Sequence, residues 1–257
     1  MTDAPEDSTT LTALDYFERG NKNFELGNYE DAIDDYSEGI KLKPNFADAY
    51  LRRGYAKASS GYPYAAIDDL SEAIKIDPDF VVAFVTRALV YQLIGKHNAA
   101  IDDCSEAIRL NPDVAKVYAY RGLSYAELGA YNAAIDDFSQ TIRIDSNNAF
   151  AYLNRGIAHS NLGDVNSTLS DFSEAIRLNS NPTDAYYNRG VFYAKSGDNE
   201  AAISDFSEVI RIDPNFADAY FGRAMAKDGL DQSYCDDLER SCDLKSDYCD
   251  WYYKYCK

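Results

Sequence analysis

The chain has 257 residues, of which 46% are hydrophobic and 14% aromatic, and its formal net charge is −18. This excess of negative charge disfavours binding to nucleic acid or to an anionic membrane surface, since both attract basic proteins. No stretch approaches the ~18 consecutive apolar residues that a membrane span needs, so we expect neither a nucleic-acid partner nor direct membrane insertion.

The N-terminal segment is acidic and polar. Its first ten residues, MTDAPEDSTT, lack the basic and apolar regions of a secretory signal, so we expect a disordered tail over residues 1–9 and a cytoplasmic location. Thr12 and Asp15 then have the spacing of a capping box, which predicts the start of a first helix.

The chain contains an internal repeat with a period of 34 residues. The heptapeptide PNFADAY occupies residues 44–50 and recurs at 214–220, and an arginine recurs at every 34th position. The arginine positions are Arg19, Arg53, Arg87, Arg121, Arg155, Arg189 and Arg223. Such regularity predicts a repeat architecture in which each unit packs on its neighbours.

Each unit has the pattern of two helices joined by a turn. The units begin near residues 13, 47, 81, 115, 149, 183 and 217, with an aromatic residue at the fourth place and glycine or alanine at the eighth. A second glycine separates the halves, and a proline ends four of the units, at Pro44, Pro78, Pro112 and Pro214. Apolar residues recur at three- and four-residue steps in each half, so each helix has one apolar face.

This order of residues closely resembles the tetratricopeptide repeat (TPR) from Ala13 to about Leu244. The resemblance implies an all-α TPR solenoid, a right-handed superhelix of about seven helical hairpins, with the array over residues 10–244 and a capping helix over 245–257. Pro63, Ser146, Thr168 and Ser180 depart from the repeat pattern, and the seventh turn is two residues shorter. Ser246 is expected to be the N-cap of the last helix, Asp247 to Tyr255.

An aspartate in each second helix recurs with the same period as the arginines. A semi-buried charge needs a partner, so we expect a structural ladder of ion pairs and keep a strip of anion-binding arginines as the alternative. The ladder residues are Arg53, Arg87, Arg121, Arg155, Arg189, Asp69, Asp103, Asp137, Asp171 and Asp205.

The resemblance also implies that first helices line a concave groove that binds a protein or peptide segment. Asn154 and Asn188 occupy the same place in successive repeats, and an amide offers both a donor and an acceptor to a peptide main chain. The expected peptide-binding residues are Asn154, Asn188, Tyr120, Leu153, Ile157, Tyr187, Val191 and Phe221.

Motifs for catalysis are absent from the sequence. His97 has no cysteine or serine partner at a recognisable spacing, and His159 occupies a place that is tyrosine in other repeats, which favours a packed residue over a base. There is no phosphate-binding glycine loop or nucleophile elbow. We expect a non-enzymatic interaction scaffold without cofactor or metal. The alternatives are a self-assembling structural protein, which would form a homo-oligomer, and an accessory subunit of an enzyme complex.

Four of the five cysteines, Cys235, Cys242, Cys249 and Cys256, lie seven residues apart near the C-terminus. On one helix this spacing separates neighbours by about 10.5 Å, which is too far for one zinc ion. In an antiparallel hairpin Cys242 would face Cys249 and Cys235 would face Cys256, so two disulfides are an alternative. A cytoplasmic location instead favours reduced cysteines that fill the core, which we prefer.

Overall fold

The computed structural model describes residues 11–257, and within this range all regular secondary structure is helical, with fifteen α-helices, one 3₁₀ turn and no strand. The chain divides into two compact units, one ending at Leu128 and the other beginning at Gly129. No helix in the described range is long and apolar enough to cross a membrane. The predicted N-terminal tail, residues 1–9, lies outside the described residues.

The first unit contains seven helices that pack as successive hairpins. They are α1 (Ala13–Glu25), α2 (Tyr29–Leu42), α3 (Ala47–Ser59), α4 (Pro63–Ile76), α5 (Val81–Leu93), α6 (His97–Leu110) and α7 (Ala115–Glu127). The odd-numbered helices also pack on one another, α1 on α3, α3 on α5 and α5 on α7. They therefore form one layer of the unit.

The second unit contains the other eight helices. They are α8 (Tyr131–Ile144), α9 (Ala149–Leu162), α10 (Val165–Leu178), α11 (Thr183–Ser196), α12 (Asn199–Ile212), α13 (Ala217–Asp228), α14 (Cys235–Leu244) and α15 (Cys249–Tyr255). Helices α9, α11 and α13 pack side by side, each paired with the helix that follows it. The predicted all-α architecture of stacked helical hairpins is confirmed.

Local signals place the helix ends. The capping box predicted for α1 is confirmed, since the Thr12 hydroxyl accepts from the Asp15 amide and the Asp15 carboxylate accepts from the Thr12 amide. Six glycines after first helices have φ between 71° and 84°, a left-handed conformation that a side chain would strain. In the shortened seventh turn Asp231, at φ 55°, takes this role.

Small residues at the eighth place let paired helices approach closely. A Cβ atom on Gly156 would come 2.9 Å from the ring of Phe172, and one on Gly190 would come 3.0 Å from the ring of Phe206. Both rings are almost completely buried. The glycine thus makes room for the aromatic residue that fills the core of its own hairpin.

One local prediction needs correction, and one departure from the repeat pattern has a structural reason. Ser246 does not cap a helix: a 3₁₀ turn covers Ser246–Tyr248, no side chain caps it, and α15 begins only at Cys249. Pro63, which departs from the repeat pattern, begins α4, where its missing N–H costs no hydrogen bond and its fixed φ suits the helix.

Candidate functional site

The arginine at the seventh place of a repeat pairs with an aspartate on the second helix of the same hairpin. Each such arginine–aspartate pair, with its serine contact, is called a rung of the ladder. Nε and Nη2 of Arg53 donate to the two carboxylate oxygens of Asp69 at 2.9 and 2.7 Å, and Nη1 donates to the Ser37 hydroxyl of the preceding repeat at 2.9 Å. The same three contacts recur in four other rungs, Arg87–Asp103–Ser71, Arg155–Asp171–Ser139, Arg189–Asp205–Ser173 and Arg223–Asp237–Ser207.

These contacts occupy all three guanidinium nitrogens inside the protein. The rung arginine side chains are 17–21% exposed and the aspartates 5–8%. The hydrogen bonds that Arg87 donates to Asp103 raise the pKa of Arg87, and those that Arg189 donates to Asp205 raise the pKa of Arg189. The geometry therefore favours a structural ladder over an anion-binding strip.

The serine of each rung was not anticipated from the sequence. Ser37, Ser71, Ser105, Ser139, Ser173 and Ser207 recur at the same 34-residue interval as the arginines, so the signal was present. Arg121 likewise donates to Ser105 at 2.9 Å. Each serine joins a rung to the preceding repeat, which the arginine and aspartate columns alone do not reveal.

The two predicted groove asparagines have matching local contacts. Nδ2 of Asn154 donates to the Phe150 carbonyl and Nδ2 of Asn188 to the Asp184 carbonyl, both at 2.8 Å and both within the same helix. In each side-chain amide, the oxygen and the second N–H make no hydrogen bond within the described residues. Both side chains are half-buried, so these atoms can meet a ligand.

A cavity of about 320 Å³ lies between α9, α10 and α11 in the second unit. It brings together three of the predicted residues, Ile157, Asn188 and Val191. The other residues that line it are Ser160, Asn161, Val165, Phe172, Phe192, Lys195 and Ser196. Its surface combines an apolar floor with hydroxyl and amide groups and a single cation.

The remaining predicted groove residues do not line this cavity. The Tyr187 ring packs into the core, 5.0 Å from the ring of Phe216 and 6.0 Å from that of Phe206, and its burial raises its pKa. Leu153 is half-buried on α9. Tyr120 belongs to the first unit, where its carbonyl accepts from Gln92 Nε2 at 2.6 Å.

Phe221 is covered by the C-terminal segment. Its ring stacks on Tyr248 with centroids 4.4 Å apart and meets the edge of Trp251 at 5.6 Å. The hydroxyl of Tyr248 donates to Asp218 at 2.6 Å, and this hydrogen bond, with help from Lys245, lowers the pKa of Asp218. The sequence predicted a capping helix in this segment, but it did not indicate that the rings would lie on Phe221, because these contacts come from outside the repeat pattern.

The four clustered cysteines are paired in the structure. Cys235 is bonded to Cys256 with Cα atoms 5.6 Å apart, and Cys242 to Cys249 with Cα atoms 4.5 Å apart, while Cys104 is free and buried. The pairing is that of the hairpin alternative, and it differs from the reduced cysteines that we preferred. Helices α14 and α15 run close enough for their facing cysteines to bond.

Metal-ligating side chains do not cluster in the part of the chain that the structure describes. Within residues 11–257 no group of three or more histidine, cysteine, aspartate or glutamate side chains has the arrangement of a metal site. Nδ1 of His159 lies 3.6 Å from Oδ2 of Asp164, and its Nε2 lies 3.9 Å from Oδ2 of Asp171, an aspartate of the ladder.

Family models identify the class of protein. A model described as TPR repeat matches residues 20–61 and 122–163, and two described as tetratricopeptide repeat match 47–80, 82–114 and 183–216. Together they span more than half of the chain. The chain belongs to the tetratricopeptide repeat family, whose arrays are typical protein–protein interaction scaffolds.

Several solved structures are similar to this chain, whereas no curated protein matches it. A crystal structure of MamA protein is 28% identical with a TM-score of 0.62, covering 65% of this chain and 91% of that chain. A tetratricopeptide repeat protein from Parabacteroides merdae is 18% identical with a TM-score of 0.73, covering 94% and 97%. YrrB, described as a TPR protein with an unusual peptide-binding site, is 21% identical with a TM-score of 0.62, covering 73% and 97%.

Proposed function

We propose that this chain is a non-enzymatic scaffold that binds a peptide or protein segment along the first helices of its second unit. The cavity between α9 and α11 carries the proposal. It places an apolar floor, formed by Ile157, Val191 and Phe192, next to the amide of Asn188. Binding sites for peptides combine these two features, a pocket for a side chain and polar groups for the main chain.

The chemistry of the lining indicates the kind of segment that fits. The apolar floor accepts an aliphatic or aromatic side chain, while the free oxygen and N–H of Asn188 can pair with a peptide unit. Lys195 is the only charged residue among those that line the cavity. It favours a segment with a carboxylate next to its apolar anchor.

Self-assembly and an accessory role in an enzyme complex are the competing functions. Self-assembly predicts a molar mass that rises with protein concentration, which light scattering measures directly. A constant monomeric mass together with peptide binding supports the scaffold, and we propose that it acts in the cytoplasm as a protein-binding module.

The test uses peptides selected from a displayed random library against the intact chain. The dissociation constant of a selected peptide is measured for the natural chain and for Asn188→Ala and Val191→Ala. We expect each substitution to weaken binding about tenfold, which corresponds to ~1.4 kcal/mol. Far-UV circular dichroism should be unchanged, because both side chains are only half-buried and Val191 packs at the edge of the core.

Asn154→Ala provides the matched control. Asn154 occupies the same place of its repeat and makes the same hydrogen bond within its helix, but it does not line the cavity. Its substitution should change affinity much less than Asn188→Ala. A library without binders, or peptides that bind all three variants as well as the natural chain, would reject this site.

A further inference from the structure

The C-terminal residues 245–256, here called the cap segment, lie on the side of α13 where a TPR ligand would be expected. Tyr248 donates to Asp218 at 2.6 Å and Lys245 Nζ to the same oxygen at 3.2 Å. The rings of Tyr248 and Trp251 cover Phe221. Asp218 and Phe221 stand at the second and fifth places of their repeat, which the family resemblance assigns to the groove.

The contacts of the cap segment follow a simple chemical pattern. A cation at residue 245, an aromatic hydroxyl at 248 and a large ring at 251 are three residues apart and meet one carboxylate and one ring of α13. Aromatic rings and charge-assisted hydrogen bonds are the usual anchors of protein interfaces. The α13 surface therefore has the features of a recognition site that is already filled.

Apart from its two bridges, the cap segment is held by contacts at the protein surface, which also include the hydrogen bond that the Tyr252 hydroxyl donates to Glu239 at 2.8 Å. Helix α15 has only seven residues, none of them fully buried, and its Trp251, Tyr253 and Tyr255 are 42%, 57% and 47% exposed. Helices this short are unstable in isolation. Cys242–Cys249 fixes the beginning of α15 to α14, and Cys235–Cys256 fixes its end.

We propose that the cap segment is an intramolecular occupant of a binding site on α13, latched by the two disulfides. When a dithiol reductant opens the bridges, the segment exchanges between docked and released forms, and Asp218 and Phe221 become available in the released form. The site then accepts a helical segment of another protein that carries a cation followed, at three-residue intervals, by two aromatic residues.

The redox step is ordinary thiol–disulfide exchange. A thiolate of the reductant attacks one sulfur of a bridge, and its second thiol then displaces the other cysteine. Each bridge takes up two electrons and two protons, and the dithiol becomes a cyclic disulfide. All four bridged cysteines are half-buried, so a small reductant can reach them.

The first test follows release of the cap segment. Trp251 is the only tryptophan in the chain, so its fluorescence reports the contact with Phe221 directly. We expect dithiothreitol to shift its emission to longer wavelength and to increase quenching by acrylamide. A Cys104→Ser chain should respond in the same way, whereas a chain with Cys235→Ser and Cys242→Ser should show the shift before reduction.

Thiol counting checks the starting state. The denatured chain, prepared without reductant, should contain one free thiol, that of Cys104, out of five cysteines. Five free thiols, or an emission that reduction leaves unchanged, would overturn the latch.

The second test measures the exposed site with a defined probe. The probe is a fluorescein-labelled peptide of residues 245–257 with Cys249→Ser and Cys256→Ser, titrated against the intact chain. We expect binding to the reduced chain to be at least about tenfold tighter than to the oxidised chain, because the latched segment competes at a high effective concentration. Asp218→Asn with Phe221→Ala should abolish binding to the reduced chain.

This inference is independent of the α9–α11 cavity, since the hydrogen bonds and ring contacts of the cap segment are made to α13 and α14 and not to the residues that line the cavity. Asn188→Ala should therefore leave probe binding unchanged. Equal binding of the probe to the oxidised and reduced chains, or no loss in the double variant, would overturn the α13 site without affecting the proposed peptide cavity.

Discussion

At the scale of single residues, the arginine ladder is the most regular feature of this protein. A buried aspartate such as Asp205 would be costly without a cation, and Arg189 supplies two hydrogen bonds to it at 2.8 and 2.9 Å. The third bond of Arg189, to Ser173, extends the rung to the preceding repeat. One side chain thus fixes the two helices of a hairpin and joins that hairpin to its neighbour.

We expect Arg189→Ala to lower the free energy of unfolding by about 3–5 kcal/mol, since it leaves Asp205 buried without its cation. Urea unfolding followed by circular dichroism measures this change. Arg211→Ala is the matched control, because Arg211 pairs with Glu208 on one exposed helix surface and its side chain is 68% exposed. That substitution should cost less than about 1 kcal/mol. Equal losses in the two variants would contradict a structural role for the ladder.

At the scale of helices, the docking of the cap segment on α13 links two titrating groups. The Tyr248 hydrogen bond, supported by Lys245, lowers the pKa of Asp218 below its usual 3.8. Burial and the hydrogen bond to Asp218 raise the pKa of Tyr248 above its usual 10.0, with further contributions from Tyr187 and Asp247. Docking therefore favours an ionised Asp218 and a neutral Tyr248.

This coupling predicts how docking depends on pH when the bridges are reduced. The contribution of Asp218 is present above pH 3.8 and is lost as the pH falls through its lowered pKa. The contribution of Tyr248 is present below pH 10.0 and is lost as the pH rises toward its raised pKa. Any cap segment that remains docked after reduction should thus be released at both extremes, as measured by the emission of Trp251.

Two controls separate this coupling from general unfolding. The oxidised chain should keep its Trp251 emission over the same range, because the bridges hold the segment in place. Asp218→Asn should remove the acidic transition of the reduced chain while the alkaline one persists. An acidic transition of unchanged size in that variant would show that another group controls docking.

At the scale of the whole molecule, stability is distributed over local contacts. Within each unit, a helix packs mainly on the helices next to it in the chain, and repeat proteins of this kind transmit perturbations over short distances. The disulfides should therefore act on the end of the second unit and not on the first. Their presence also bears on location, because a reducing cytosol would favour the released form of the cap segment.

Hydrogen–deuterium exchange can show which part of the chain the disulfides stabilise. After reduction, amide exchange should accelerate in α15 and in the facing part of α13, where contacts with the cap segment are lost. Helices α1 to α5 should exchange at the same rates with and without reductant. Faster exchange throughout the first unit would show that the bridges stabilise the protein globally.

The sequence by itself determined the helices, their order and the ladder. A 34-residue period fixes which residues share a face, so the arginine and aspartate columns could be aligned and the first helices begin at the positions predicted for the repeats. Glycine at six of the turns and at most of the eighth places predicted the local geometry, because a residue without a side chain fits most easily into a left-handed turn or against an aromatic ring.

Only the tertiary structure decided what happens at the end of the array and within the groove. The spacing of the cysteines allowed either reduced thiols or two disulfides, and the distance between α14 and α15 selected the two bridges. Phe221 had the pattern of an open groove residue, yet residues outside the repeat cover it. Periodicity describes how equivalent residues are arranged, whereas these contacts join segments that no period relates, so their distances follow only from the folded chain.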